Sequence, residues 1–394
     1  MEIVEVGTDA FLRSEFIRLP VRIYRNNPYW IRPLDKDIDA IFDPSKNKYF
    51  RDGECARWLA VDKSGQTVGR VAAFINPKTT KKGNRQPTGG LGFFECANDE
   101  RVAFLLFDQC KNWLAERGME AMDGPINFGE RDSHWGLLVD GYDKEPTYGM
   151  DYHLPYYRAF FEAYGFQNYF EQYTFYLPMQ EQVVRPLLHP AVFARAEKIY
   201  ATPGFEFKHI QKEQLPQFAE DFRTIYNKAW AANLGTSDMT VEQANAIMKR
   251  MKPILEEELV WFGYFEGEPI AFFVMLPEMN QIFKYVNGKL DWLGKLKFLY
   301  HKLRKTNERA FGVIFGVVPE FQKRGVESAI AMAYSKVAWR PGYQYKHLEL
   351  NWIGDFNPKM LNFAKMLGGV AHKTHITYRY LFDPAQAFER HPVM

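Results

Sequence analysis

The chain has 394 residues, more than one domain usually holds, and its length favours two domains. Hydrophobic residues make up 46% of it, with 33 Phe, 22 Tyr and 9 Trp, which is ample for buried cores and excludes disorder over most of the length. Charges nearly cancel, 50 Lys plus Arg against 48 Asp plus Glu, so no global field points to nucleic acid and any anion site must be local. Cys55, Cys96 and Cys110 are too few and too scattered for a disulfide framework or a zinc site, which suits a reducing compartment. The opening residues MEIVEVGTDAFLRSEF lack a basic start followed by an apolar core, and no later run is long enough to span a bilayer. A soluble cytoplasmic protein with no metal is expected.

In chain order, ARWLAVDKSGQTVGRVAAFIN alternates around Lys63-Ser64-Gly65 and predicts a hairpin, and GGLGFFECA predicts a further strand. NDERVAFLLFDQCKNWLAERG predicts a helix capped by Asn98 or Asp99, with Val102, Leu105, Leu106, Cys110, Trp113 and Leu114 on one face and Gly118 as its stop. MEAMDGPINF reads as a strand, PYYRAFFEAYGF as a helix and NYFEQYTFYL as a strand pair.

The same order returns after residue 200. FEFKHI is a strand, LPQFAEDFRTIYNKAW and TVEQANAIMKRM are helices, and LVWFGYFEGEPIAFFVML is a hairpin about Glu266-Gly267. RAFGVIFGVV is a long strand, Gly325 to Trp339 a helix, HLELNWI a strand, NPKMLNFAKMLGG a helix and VAHKTHITYRYLF the last strands. The two halves end alike, so two copies of one α/β unit are expected: residues 1–178, a connecting segment 179–204, and residues 205–394. Each copy would be a mostly antiparallel mixed sheet flanked by helices.

With its hairpin, long strand, loop containing Gln322 and Gly325, helix, and NPKMLNFAKMLGG, the second half resembles the GCN5-related N-acetyltransferase (GNAT) superfamily. The whole chain resembles tandem-GNAT proteins of the N-acyltransferase type. ELNWIGDFNPKM and GPINFG with GLLVDGYD are similar to a bacterial group that includes proteins proposed to acylate long-chain amines such as sphingoid bases. The resemblance implies that acetyl-CoA or a longer acyl-CoA is co-substrate. Val317 and Val318 would meet the pantetheine, and Gln322, Lys323, Arg324, Gly325 and Val326 the phosphates. Glu327 stands where such loops usually carry Gly or Ala, and an ordinary β-to-α turn is the competing reading. The first copy has only Asn98, Asp99 and Glu100 before its helix, too short and too acidic for a diphosphate.

The tyrosine that often serves the family as an acid is replaced by Ala364, with Phe161 in the matching place of the first copy; Tyr378 is the nearest substitute. Glu349 and Asn351 share one face of HLELNWI, and Glu349 reads either as a base or as a satisfied edge carboxylate. Asp132-Ser133-His134 is hydrolase-like only in composition, and His372 and His375 point to opposite sides of an extended strand, against a shared metal. Residues 127–153 form a long irregular loop that could define the acceptor, a small-molecule or lipid amine. The basic insertion 281–308 interleaves Leu290, Leu293, Leu296, Leu299 and Leu303 with lysines and arginines. Its segment 284–305 suits peripheral membrane contact or an acyl carrier, or else packs across the two copies with a solvated basic face. Nucleic acid, suggested only by basic patches at 78–85 and 284–305, is not favoured. The alternative to an N-acyltransferase is an inactive module of the same fold that binds an acyl-CoA, a lipid or a protein.

Overall fold

Runs of β-branched and aromatic residues punctuated by glycine turns build the centre of the protein, seen here in a computed structural model that describes residues 1–80, 84–230 and 238–393. Of the basic stretch 78–85, residues 81–83 lie outside the described residues. The first half supplies β1 (Glu2–Glu5), β2 (Glu54–Val61), β3 (Thr67–Ile75), β4 (Thr88–Cys96), β5 (Ala121–Gly124), β6 (Leu137–Asp140) and β7 (Gln167–Pro178). The second supplies β8 (Phe205–His209), β9 (Val260–Phe265), β10 (Glu268–Pro277), β11 (Arg309–Val317), β12 (His347–Gly354) and β13 (Val370–Leu381). Among the described residues they form one 13-stranded sheet in the order β1-β2-β3-β4-β5-β13-β7-β12-β11-β10-β9-β8, with β6 paired to β13.

That order is an exchange of last strands. β13, the end of the second half, pairs antiparallel with β5 and β6 of the first, while β7, the end of the first half, pairs antiparallel with β12. β7 and β13 pair with each other at the centre. The strand pair read at NYFEQYTFYL is therefore one 12-residue strand, and the last strands read at VAHKTHITYRYLF are likewise one. Each serves both halves, so the sheet has no free edge where the halves meet.

The helices preceding these exchanged strands close in the same way in both halves. Helix Tyr156–Tyr164 ends on Gly165 (φ 106°), with the Phe166 N–H donating to the Phe161 carbonyl. Helix Pro358–Met366 is followed by Gly368 (φ 81°), with the Gly369 N–H donating to the Ala364 carbonyl. Both are αL closures that require a residue tolerant of positive φ, and they align Phe161 with Ala364. Helix Glu100–Ala115 is capped by Asp99, and its Val102, Leu106, Cys110 and Leu114 are buried. Leu105 departs from the expected face and is turned to solvent. In the first half Phe94, Phe107 and Phe161 pack with ring centroids 4.7–5.4 Å apart. In the second, Phe222 stacks on Phe272, and Phe218 packs at a tilt against Phe262, behind β9 and β10. Among the described residues no helix is long and apolar enough to cross a membrane.

Candidate active site

The sheet opens where β11 leaves β12. β11 pairs with β12, in parallel, only over Arg309–Gly312 against His347–Leu350, yet it stays paired with β10 as far as Val317. Both strands are irregular at the parting point. The β10–β11 register slips between Val274 and Met275, leaving Val313 opposite no residue, and the β12–β7 register slips between Leu350 and Ile353. Bulges of this kind bend a strand and end its pairing. A cavity of about 300 Å³ fills the gap, walled by apolar residues such as Phe273, Ile314, Phe315, Met360 and Phe363, with Asn351, Asn357 and Arg131 as polar members.

At the far end of β11 the chain makes the phosphate-loop candidate. The Gln322 side-chain amide donates to the Val317 carbonyl at 3.0 Å and folds the loop back on the strand. Lys323 (φ 61°) and Gly325 (φ 101°) are both left-handed, so the chain turns tightly into the helix that follows. Helix Val326–Ala338 then starts with no side-chain cap, so its first N–H groups are left for a ligand or water. Lys323 and Arg324 are exposed beside it, and Glu327 is half-buried in its first turn. Gly325 has a second reason to be glycine: a Cβ there would come within 3.0 Å of Arg195 Cβ on helix Pro190–Tyr200. The corresponding helix start in the first half is already filled, because Asp99 accepts from the Arg101 N–H at 3.0 Å and pairs with its guanidinium.

Of Val317 and Val318, the residues read as meeting a pantetheine, Val317 lies within the stretch of β11 that faces the gap and Val318 follows it. The Val318 N–H donates to the Ile270 carbonyl, and the Val317 carbonyl accepts from Gln322. From Val313 onward the edge facing β12 has no strand partner among the described residues.

Glu349 is fully buried and does not line the cavity. It accepts from Lys373 Nζ at 2.7 Å and the Thr147 hydroxyl at 2.6 Å, and Arg309 stands 3.0 Å away as an ion pair. Burial would raise its pKa, but Lys373, His372 and Arg309 outweigh burial and hold the carboxyl well below its usual range. Such a carboxylate is a poor proton acceptor; what it does is pin loop 127–153, through Thr147 and Lys373, to the second half. Strict alternation would separate His372 from Lys373. The register shift between Ala371 and Lys373 lets both approach Glu349. Asn351 accepts from the Thr174 hydroxyl at 3.0 Å and faces the cavity. Tyr378 is elsewhere: β13 carries it into the first half, where its buried hydroxyl donates to Glu162 beside Phe161. That exchange of strands removes it from the β11–β12 gap and from the acid role read for it.

Sequence reasoning missed a second constellation, in the loop it had marked for the acceptor. His134 Nδ1 lies 2.7 Å from the Asp151 carboxylate. His134 lines a cavity of about 210 Å³ with Ser133, Asn127, Asp37 and Tyr148. Burial alone would lower the His134 pKa, but the Asp151 charge and hydrogen bond leave it above its ordinary value. The same pairing holds Asp151, against its burial, down at about 2. Three residues before His134, Arg131 lines the β11–β12 cavity, and its carbonyl accepts from the Trp352 indole at 3.2 Å. One loop thus borders both cavities. Among the described residues no group of His, Cys, Asp and Glu could hold a metal ion.

The chain matches no protein-family model. It is 27% identical over 380 residues to the bacterial ceramide synthase of Caulobacter vibrioides, covering 96% of this chain and 97% of that one. Among solved structures, a tandem GNAT protein from the clavulanic acid biosynthesis pathway superposes with a TM-score of 0.54 at 10% identity, over 98% of this chain and 99% of that one. The chain has the tandem GNAT fold. A GCN5-related glucosamine N-acetyltransferase region of a fungal multi-domain GH3 β-N-acetylglucosaminidase superposes with a TM-score of 0.56 at 13% identity; the match covers 96% of this chain and 38% of that longer one. Within this fold the parting of β11 and β12 belongs to the second half of the chain.

Proposed function

We propose that the protein is an acyl-CoA-dependent N-acyltransferase for an amphiphilic amine. The observation that carries the reading is the parting of β11 from β12 at Gly312, which leaves a strand edge beside an apolar cavity on the strand that leads into the uncapped start of helix Val326–Ala338. An extended pantetheine arm would pair with the edge from Val313 onward, as an added strand does. The loop N–H groups with Lys323 and Arg324 would hold the diphosphate. Apolar walls favour an acyl chain over a polar group, and similarity along the whole chain to a protein named as a ceramide synthase supports a long-chain amine as acceptor.

In this reading the amine nitrogen attacks the thioester carbon, a C–N bond forms, the C–S bond breaks and the thiolate leaves. His134, oriented by Asp151, takes the amine proton. The departing thiolate needs no side-chain acid, which suits the buried alanine at Ala364. Glu349 acts as a positioning residue that anchors the acceptor loop, and Asn351 orients the acyl group from the cavity wall.

Two outcomes are expected. Incubating the protein with palmitoyl-CoA and a sphingoid-type amine releases free thiol in proportion to N-acylated product. Thiol release that no long-chain amine accelerates, with acyl-CoA binding intact, would instead support the inactive module. His134→Gln lowers kcat/KM by about 100-fold or more and leaves acyl-CoA affinity unchanged. Because the neutral imidazole is the active form, the wild-type rate rises with pH through a pKa above the ordinary histidine value, and the variant loses that inflection.

A further inference from the structure

Helix Trp292–Leu303 is built inside out for a soluble protein. Its inward side is Gly294, Phe298 and His301: Gly294 is buried, Phe298 stacks on Phe283 with centroids 5.8 Å apart, and the His301 ring lies 3.8 Å from Tyr285. The opposite side is apolar and in solvent. Trp292 is 70% exposed, Leu293 50%, Leu296 57%, Leu299 50%, Tyr300 53% and Leu303 74%. At about 100° per residue these six fall within roughly one third of the helix circumference. Lys295 and Lys302 border the stripe on one flank and Lys297 and Arg304 on the other, and Asp291 is the sole acid from 289 to 305. Asp291 is occupied as the N-cap, accepting from the Gly294 N–H at 2.8 Å. The reading in which this segment packs across the two copies with only its basic face in water does not hold, because the leucines face outward.

We infer that this helix is a docking surface for an anionic lipid bilayer, lying in the plane of the interface with its stripe among the acyl chains and its flanking cations at the headgroups. Both requirements of such a helix are present together: a continuous exposed apolar face and positive charge along both of its borders. The cations also select the occupant. A second copy seated on the stripe would bring like charges together on both flanks, whereas phosphate headgroups neutralise them. Trp292 and Tyr300 add amphipathic rings of the kind enriched at bilayer interfaces. The helix rests on the small core of Leu34, Ile282 and Phe283, and Leu34 also walls the His134 cavity. Docking would set that cavity near the lipid surface, where an amphiphilic amine partitions; the docking itself does not depend on the reaction.

The test is co-sedimentation of the full chain with vesicles of phosphatidylcholine alone and of equimolar phosphatidylcholine and phosphatidylglycerol, at low and high salt. Leu296→Glu with Leu299→Glu changes two exposed side chains, so the fold should be retained, as circular dichroism checks. The wild type is expected to sediment with the anionic vesicles, at least about 10-fold more weakly with the neutral ones and at high salt, and the double variant with neither. Failure to sediment with anionic vesicles, or sedimentation unchanged in the double variant, would overturn the inference. So would a wild-type dimer that the double variant converts to monomer without any vesicle binding, since a second copy would then cover the stripe. Acyl-CoA binding measured on the same double variant keeps this outcome separate from that of the proposed reaction.

Discussion

Glu349→Ala lowers the folding stability of the protein by about 3–5 kcal/mol, measured as denaturant unfolding at neutral pH. The carboxylate removed is completely buried, and its loss strands Lys373, 2% exposed, and the Arg309 guanidinium without their counter-charge. Replacing both members of the closest pair, Glu349→Leu with Lys373→Met, recovers most of the loss, because two well-packed apolar groups carry no desolvation penalty. Acid should reproduce the single substitution. A carboxyl whose folded pKa is depressed contributes stability above its unfolded value, and the contribution disappears as pH falls toward the folded one. Glu278 works in the opposite sense: burial, with the nearby Glu349 charge, raises it to about 7, so its share of stability declines as pH rises from the ordinary carboxylate range toward neutrality. If Glu349 were instead the catalytic base, Glu349→Gln would abolish turnover while leaving the unfolding midpoint unmoved, the reverse of what its burial predicts.

Val313→Pro lowers kcat by about 100- to 1,000-fold with little change in stability. Val313 sits at the bulge, opposite no residue of β10 and past the last pairing with β12, and 39% exposed. A bulge is one of the few places in a sheet that tolerates proline. If its N–H polarises the thioester carbonyl, proline removes a donor aimed at developing negative charge, and single donors of that kind are worth about this much. Steady-state thiol release reads the effect, with thermal unfolding as control. Unaltered kcat would move the polarising group elsewhere on β11.

Much of this was legible in the sequence because it is local. The helix stops at Gly165 and Gly368, the Asp99 cap of helix Glu100–Ala115, and the loop from Gln322 to Val326 are each written within a few residues. The exchange of β7 and β13 is not local: periodicity predicts a strand but not its partner, and two long strands interrupted by bulges look like several short ones. His134 was seen and set aside, since its neighbours Asp132 and Ser133 cannot orient it; its partner Asp151 lies 17 residues away with no spacing signal to mark it. For helix Trp292–Leu303 the pattern gave the amphipathicity but not which face the fold would bury, a matter decided by Gly294 and Phe298 meeting Lys289 and Phe283.

The most direct test of the acyl-CoA site is calorimetric titration of the full chain with acetyl-CoA and palmitoyl-CoA, beside Lys323→Glu combined with Arg324→Glu. This variant is a cleaner control than any change at Gly325, whose φ of 101° and contact with Arg195 tie it to folding. Saturable binding is expected, tighter for the longer chain, and weakened at least about 10-fold in the variant by loss and reversal of two charges at the phosphates. No binding of either thioester, or equal affinity in the wild type and the variant, would contradict it.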